Sequence, residues 1–180
     1  MEYFVCTIAE CEKAFGIDKS LSRPKQISLL AKQKLLSIIK EKGLSFDTTI
    51  AVEEKGKPFF LYNKNLHFSI SHTKSHIAIA LHDKPIGVDI ENTRKCNLNL
   101  AKRFFHPEEY IYLSSLPKEE QDEAFTKIWT QKEAYVKCTG EGIANTFNTF
   151  SVIANSLTIG SQYNIQYQAK DYHLSLCFES

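Results

Sequence analysis

Apolar positions recur along this chain first at strand spacing, then at helical spacing, and the alternation repeats. Tyr3-Phe4-Val5-Cys6-Thr7-Ile8 is β-branched and aromatic and predicts an opening strand. From Arg23-Pro24 to Lys42-Gly43, Ile27, Leu30, Ala31, Leu35, Ile38 and Ile39 fall three and four apart, predicting one amphipathic helix. Pro24 stands near its start and Gly43 just past its end, the expected punctuation. Glu53 to Pro58 reads as a turn with lysines at its tip. Three short apolar runs follow, Leu66–Ile70, His76–Leu81 and Pro85–Glu91. Their polar links are so short that an antiparallel meander is predicted. Past residue 96 the spacing becomes helical. A short helix is predicted from Asn97 to Phe105, another from Pro107 through Leu113, and a long one from Leu116-Pro117 to about Cys138, ended by Thr139-Gly140-Glu141-Gly142. Three strands close the chain, over 149–154, 163–168 and 172–178.

The order of strand, helix and strands thus occurs twice. It predicts an α+β fold of two similar α/β lobes, residues 1–84 and 85–180, forming one compact unit with a shared interface. At 180 residues, 43% apolar and 24% charged, the chain has the composition of a globular domain. Lys+Arg 22 against Asp+Glu 21 leaves no basic excess, which argues against non-specific binding to nucleic acid or membrane. Met1-Glu2-Tyr3-Phe4-Val5 lacks the basic start and apolar core of a signal peptide, and no run reaches the roughly 20 apolar residues of a membrane span. A cytoplasmic protein is expected. Cys6, Cys11, Cys96, Cys138 and Cys177 are scattered without Cys-x-x-Cys spacing, so reduced structural thiols are expected rather than a zinc site or disulfide framework.

Candidate chemistry begins at Gly87-Val88-Asp89-Ile90-Glu91. Side chains alternate across a strand, so Asp89 and Glu91 share one face and Val88 and Ile90 the other. Two adjacent carboxylates repel unless solvent or a cation separates them, and both readings stand at this point. In the long helix Trp129, Glu133 and Lys137 lie four apart and line one face. The pair Glu133 and Lys137 suits an ordinary helix ion pair. If this helix packs across the strand end, however, Asp89, Glu91 and Glu133 form an all-oxygen set suited to a hard cation such as Mg²⁺. Phe68-Ser69-Ile70-Ser71-His72-Thr73 ends a strand with hydroxyl, ring and backbone donors that suit a phosphate.

Taken together, Phe68-Ser69-Ile70-Ser71-His72, Gly87-Val88-Asp89-Ile90-Glu91 and Trp129 with Lys132-Glu133-Ala134 and Lys137 resemble the three signature blocks of the 4′-phosphopantetheinyl transferases. The resemblance is to their larger single-chain (Sfp-type) class. It covers roughly residues 55 to 153 and includes Ala101-Lys102-Arg103-Phe104-Phe105 and Glu108-Glu109-Tyr110. It implies a pair of α+β lobes with the active site in the cleft between them. The implied activity is Mg²⁺-dependent transfer of phosphopantetheine from coenzyme A to a serine of an apo acyl carrier protein, or of a carrier domain of a fatty-acid, polyketide or peptide synthase. Adenosine 3′,5′-bisphosphate is released. Residue by residue it implies Asp89, Glu91 and Glu133 as metal ligands, Glu133, Lys137 and His72 as catalytic groups, and Lys57, Ser71, His72 and Lys137 as coenzyme A contacts. Early in the first helix, where the family has an arginine and a small hydroxyl residue, this chain reads Gln26-Ile27-Ser28. Ser28 keeps the hydroxyl and is the matching cofactor contact, and Ile27 replaces the arginine. A carrier protein presents an acidic helix, and Phe104, Phe105, Tyr110 and Tyr112 beside Lys102 and Arg103 are the surface expected to meet it. A monomer suffices. The rival readings are a Mg²⁺-dependent nucleotide or pyrophosphate hydrolase and a non-catalytic binding module for coenzyme A or a carrier.

Overall fold

The computed structural model describes residues 1–142, 146–153, 158–159 and 162–180. In chain order the elements are β1 (Glu2–Thr7), α1 (Ile8–Phe15), α2 (Arg23–Glu41), β2 (Ile50–Val52), β3 (Pro58–Phe60), β4 (His67–His72) and β5 (His76–His82). They continue with β6 (Ile86–Glu91), α3 (Leu98–Phe104), α4 (Pro107–Ser115), α5 (Lys118–Thr139), β7 (Thr158–Ile159), β8 (Tyr163–Ala169) and β9 (His173–Glu179). The fold is α+β, and no described helix is long and apolar enough to cross a membrane. All five cysteines are free.

Two antiparallel sheets lie between two helical layers. The first has the order β1-β5-β4 and the second β6-β9-β8-β7, while β2 and β3 form a separate hairpin. Alternation along β5 sorts the layers. Ile77, Ile79 and Leu81 join Ile27, Leu30, Leu35 and Ile38 of α2, whereas the small Ala78 and Ala80 meet Val88 and Ile90 of β6 and Leu174 and Leu176 of β9. On the far side α5 covers the second sheet, with Ala134 and Cys138 packed among Ile165 and Cys177.

Several expectations are corrected here. The predicted meander is only the β4–β5 hairpin. β6 pairs with β9 instead, in register from Ile86↔Phe178 to Glu91↔His173, and so opens the second sheet. Apolar runs joined by short links look alike whether the third strand continues a sheet or starts the next. Helix α1 has no counterpart in the periodicity reading. It is an eight-residue helix whose start is held by a capping box, in which Thr7 Oγ1 accepts from the Glu10 N–H and the Glu10 carboxylate accepts from the Thr7 N–H. Of the strand expected over 149–154, residues 149–153 are irregular and Ala154 lies outside the described residues.

Helix α5 has three working faces. Phe125 and Ile128 pack with Phe105, Leu113 and Phe147, while Ala134 and Cys138 lie on β6. Trp129, Glu133 and Lys137 form a half-buried stripe. The helix ends at Gly140, whose left-handed φ of 76° returns its N–H to the Val136 carbonyl at 2.8 Å.

Candidate active site

Gly87 decides how closely α5 approaches β6. A Cβ at this position would stand 2.0 Å from the Ala134 carbonyl oxygen and 2.5 Å from the Cys138 nitrogen, so the helix backbone rests directly on the strand. Gly87, Asp89 and Glu91 share one face of β6, and the contact at Gly87 turns that face toward α5. The acids of the strand thereby meet the Glu133 and Lys137 stripe.

At the centre, Lys137 Nζ donates to Asp89 Oδ1 at 2.7 Å and to Ser71 Oγ at 3.0 Å. Ser71 Oγ in turn donates to Asp89 Oδ1 at 2.8 Å. Ser69 Oγ accepts from the Val88 N–H at 3.0 Å, so two serines of β4 bridge to β6, an edge strand of the second sheet. Asp89 is 4% exposed, and its second oxygen, Oδ2, is buried without a hydrogen-bond partner among the described residues. A buried carboxylate oxygen in that state is costly and calls for a donor or a cation. Glu91 accepts from Arg94 Nη1 at 3.1 Å. Burial, and then the charge of Asp89, push the Glu91 carboxyl up, while Arg94 and Lys137 pull it down. The same causes act more strongly on Glu133, which burial and Asp89 push up to about 7.

Among the described residues, no group of three or more His, Cys, Asp and Glu side chains is gathered closely enough to hold one ion as they stand. Asp89 is drawn to Lys137 and Glu91 to Arg94. The residues nonetheless fit a hard divalent cation in kind. Their donors are all carboxylate oxygen, one of these oxygens is orphaned, and each carboxylate raises the next.

Beside this cluster opens a cleft of about 360 Å³, lined by Glu133 and Lys137, by Lys55 and Lys57 of the β2–β3 turn, and by the apolar Phe68 and Val136. The ammonium of Lys57 is committed to the end of α5, where Nζ donates to the Cys138 carbonyl at 2.5 Å. Its burial pulls the Lys57 pKa down.

The remaining expected site residues lie elsewhere. Strand β4 runs through His72, and strand alternation separates its last two residues. Ser71 is buried against Asp89, whereas His72 is exposed on the opposite face. Ser28 stands exposed on α2, which contributes nothing to the cleft lining. Of the expected carrier-facing aromatics, Phe105 is core at 3% exposure, stacked on Phe125 at 5.3 Å. Tyr112 is 41% exposed, and its neighbour Ile111, which periodicity did not single out, is 66% exposed.

Sequence reasoning gave no individual role to four further residues. Ser69 carries no signal apart from its parity with Ser71. Arg94 follows the strand by three residues, outside any helical or strand period, yet its guanidinium lies 4.3 Å over the Trp129 ring. Lys132 and Glu109 are fully buried and paired at 2.9 Å. Lys132 also donates to the Phe147 and Phe150 carbonyls, while Glu109 accepts from the Val152 and His106 N–H groups. This pair fastens the 147–152 segment and the start of α4 to α5, and neighbouring charges in a sequence do not reveal which of them will be buried.

Residues 85–180 match a family model described as the 4′-phosphopantetheinyl transferase superfamily. A 4′-phosphopantetheinyl transferase of Bacillus subtilis is 38% identical over 110 residues, covering 61% of this chain and 47% of that protein. The 4′-phosphopantetheinyl transferase AcpT of Salmonella typhimurium is 31% identical over 156 residues, covering 85% of this chain and 77% of that one. Among solved structures, the holo-acyl-carrier-protein synthase AcpS of Thermotoga maritima aligns with a TM-score of 0.38 at 14% identity, over 53% of this chain and 62% of that chain. The chain spans about half the length of the Bacillus relatives it matches.

Proposed function

The chain belongs to the 4′-phosphopantetheinyl transferase superfamily, and from that premise we propose that it transfers phosphopantetheine from coenzyme A to a serine hydroxyl of an apo carrier protein. The serine oxygen bonds to the phosphorus that bears the pantetheine arm. The pyrophosphate P–O bond breaks, and adenosine 3′,5′-bisphosphate leaves. One observation carries the reading: Lys137 of α5 meets Asp89 of β6 and Ser71 of β4 within 3.0 Å, and Glu133, on the same helical stripe as Lys137, lines the cleft beside it.

Phosphoryl transfer requires an in-line nucleophile and neutralised phosphate oxygens. Mg²⁺ held by Asp89, Glu91 and Glu133 would supply Lewis-acid neutralisation of the pyrophosphate. Glu133 takes the serine proton, directly or through water, because it lies beside Lys137 on the cleft wall, where it can both reach the metal and face the incoming chain. Lys137 offsets charge on the leaving side, and Ser71 holds Lys137 and Asp89 in register. His72, exposed at the end of β4, donates to a phosphate, and Lys57 contributes charge at the cleft wall. The reading takes residues 1–84 and 85–180 as two lobes. In its support, β1, β4 and β5 build one sheet and β6–β9 the other. Exposed Ile111 and Tyr112, with exposed Lys102 and Arg103 on α3, form the surface proposed for the acidic helix of the carrier.

The test is intact-mass spectrometry of an apo acyl carrier protein incubated with this protein, coenzyme A and Mg²⁺. A mass gain of one phosphopantetheine, lost in Asp89→Ala, is expected. Hydrolysis of coenzyme A without any gain on several carriers would replace the transferase with a hydrolase. Absence of both gain and coenzyme A binding would leave a site without this chemistry.

A further inference from the structure

Of the three acids, Glu91 is the one ion-paired with an arginine, whose charge also reaches Glu133. Arg94 Nη1 donates to Glu91 Oε1 at 3.1 Å, and the same guanidinium lies 4.3 Å over the ring of Trp129. Its backbone cannot drift, because the Arg94 N–H donates to Thr126 Oγ1 at 2.8 Å and Thr126 Oγ1 donates to the Asp122 carbonyl at 2.7 Å, both on α5. Carboxylate, guanidinium and indole are therefore coupled in one small unit, held in place through α5.

We propose that Arg94 is the internal counter-cation of Glu91 and competes with a divalent cation for that carboxylate. It thereby sets the metal affinity of the site and passes metal occupancy to Trp129. This rests on the reading of Asp89, Glu91 and Glu133 as metal ligands. The physical basis is charge. A guanidinium on one oxygen of Glu91 neutralises the carboxylate and repels a dication approaching its other lone pairs. The ion pair is half-exposed, with side chains 38% and 28% accessible. Water can therefore take over Arg94 when metal arrives, and the competition is modest, roughly three- to tenfold in affinity. Cation–π contact with Trp129 keeps the released guanidinium nearby, so the exchange is reversible.

Trp129 is the only tryptophan in the chain, which makes it a built-in reporter. MgCl₂ is titrated into the full chain at pH 8 and low ionic strength, followed by calorimetry and by tryptophan emission, for wild type, Arg94→Gln and Arg94→Lys. Expected are saturable binding with an emission change in wild type and a roughly three- to tenfold lower Kd in Arg94→Gln, with most of the emission change lost. Arg94→Lys should fall closer to wild type in Kd than Arg94→Gln does, because it keeps the charge, although not the planar stacking on Trp129. If wild type binds Mg²⁺ and Arg94→Gln leaves the Kd unchanged or raises it, the competition is refuted while the metal site stands. If folded wild type binds no Mg²⁺, the metal-site reading falls and takes this inference with it.

Discussion

Replacing Gly87 with alanine is the sharpest test of how the fold builds the site. Gly87 is not in a left-handed conformation, so glycine is required there for space rather than for backbone freedom. The added methyl would stand 2.0 Å from the Ala134 carbonyl oxygen, whereas ordinary contact begins near 3.4 Å, so strand and helix must part by about 1.4 Å. Both groups it meets, the Ala134 carbonyl and the Cys138 N–H, are main chain, and no rotamer change relieves the clash. Overpacking of this kind costs about 1–3 kcal/mol, and an immovable neighbour places this case at about 3 kcal/mol. For a domain of this size that lowers Tm by about 6–12 °C. The same retreat stretches the 2.7 Å contact of Lys137 with Asp89 and displaces Glu133, a misplacement that costs on the order of 100-fold in rate. Urea unfolding gives the first quantity, and the initial rate of carrier loading by intact mass gives the second. Ala134→Gly in the same background does not rescue, because the obstruction is the carbonyl at 134 rather than its side chain. A Gly87→Ala protein with wild-type midpoint and rate, or one restored by Ala134→Gly, would refute the claim that direct backbone contact positions the Glu133 and Lys137 stripe.

Two further predictions concern buried charge. Glu133 has a folded pKa of about 7 against 4.5 in the free side chain, so between these values the folded protein holds a proton that the unfolded chain releases. Its contribution to stability is therefore present at low pH, falls as pH rises from about 4.5 to 7, and is gone above 7. Urea unfolding without metal, at several pH values from 5 to 8, should show a decline that Glu133→Gln flattens; equal slopes in the two proteins would contradict the assignment. At the other buried pair, Lys132→Met strands the Glu109 carboxylate and is expected to cost about 3–5 kcal/mol. Lys132→Met with Glu109→Gln should cost less than the single change, since glutamine leaves no buried charge unpaired and its one carbonyl oxygen still accepts from one of the two N–H groups of Val152 and His106. A single variant within 1 kcal/mol of wild type in urea would argue against the pair as a structural anchor.

Periodicity within one element determined much of this protein without reference to the rest. Alternation placed Gly87, Asp89 and Glu91 on one face of β6, and four-residue spacing aligned Trp129, Glu133 and Lys137 on α5. The limits of α2 and α5 were readable from Pro24, Pro117 and Gly140 because proline and glycine restrict the backbone locally. The same rule also parts two residues that the sequence presents side by side. Once β4 is known to run through His72, alternation itself separates His72 from Ser71. What the tertiary structure alone decided is which faces meet. That β6 leaves the β4–β5 hairpin to pair with β9, that Lys137 reaches Asp89, that Lys57 caps α5 and that Arg94 lies over Trp129 are all relations between elements distant in the chain. Local spacing fixes the direction of a side chain relative to its own backbone. The partner it finds depends on how whole elements pack, which here turns on the missing side chain of Gly87.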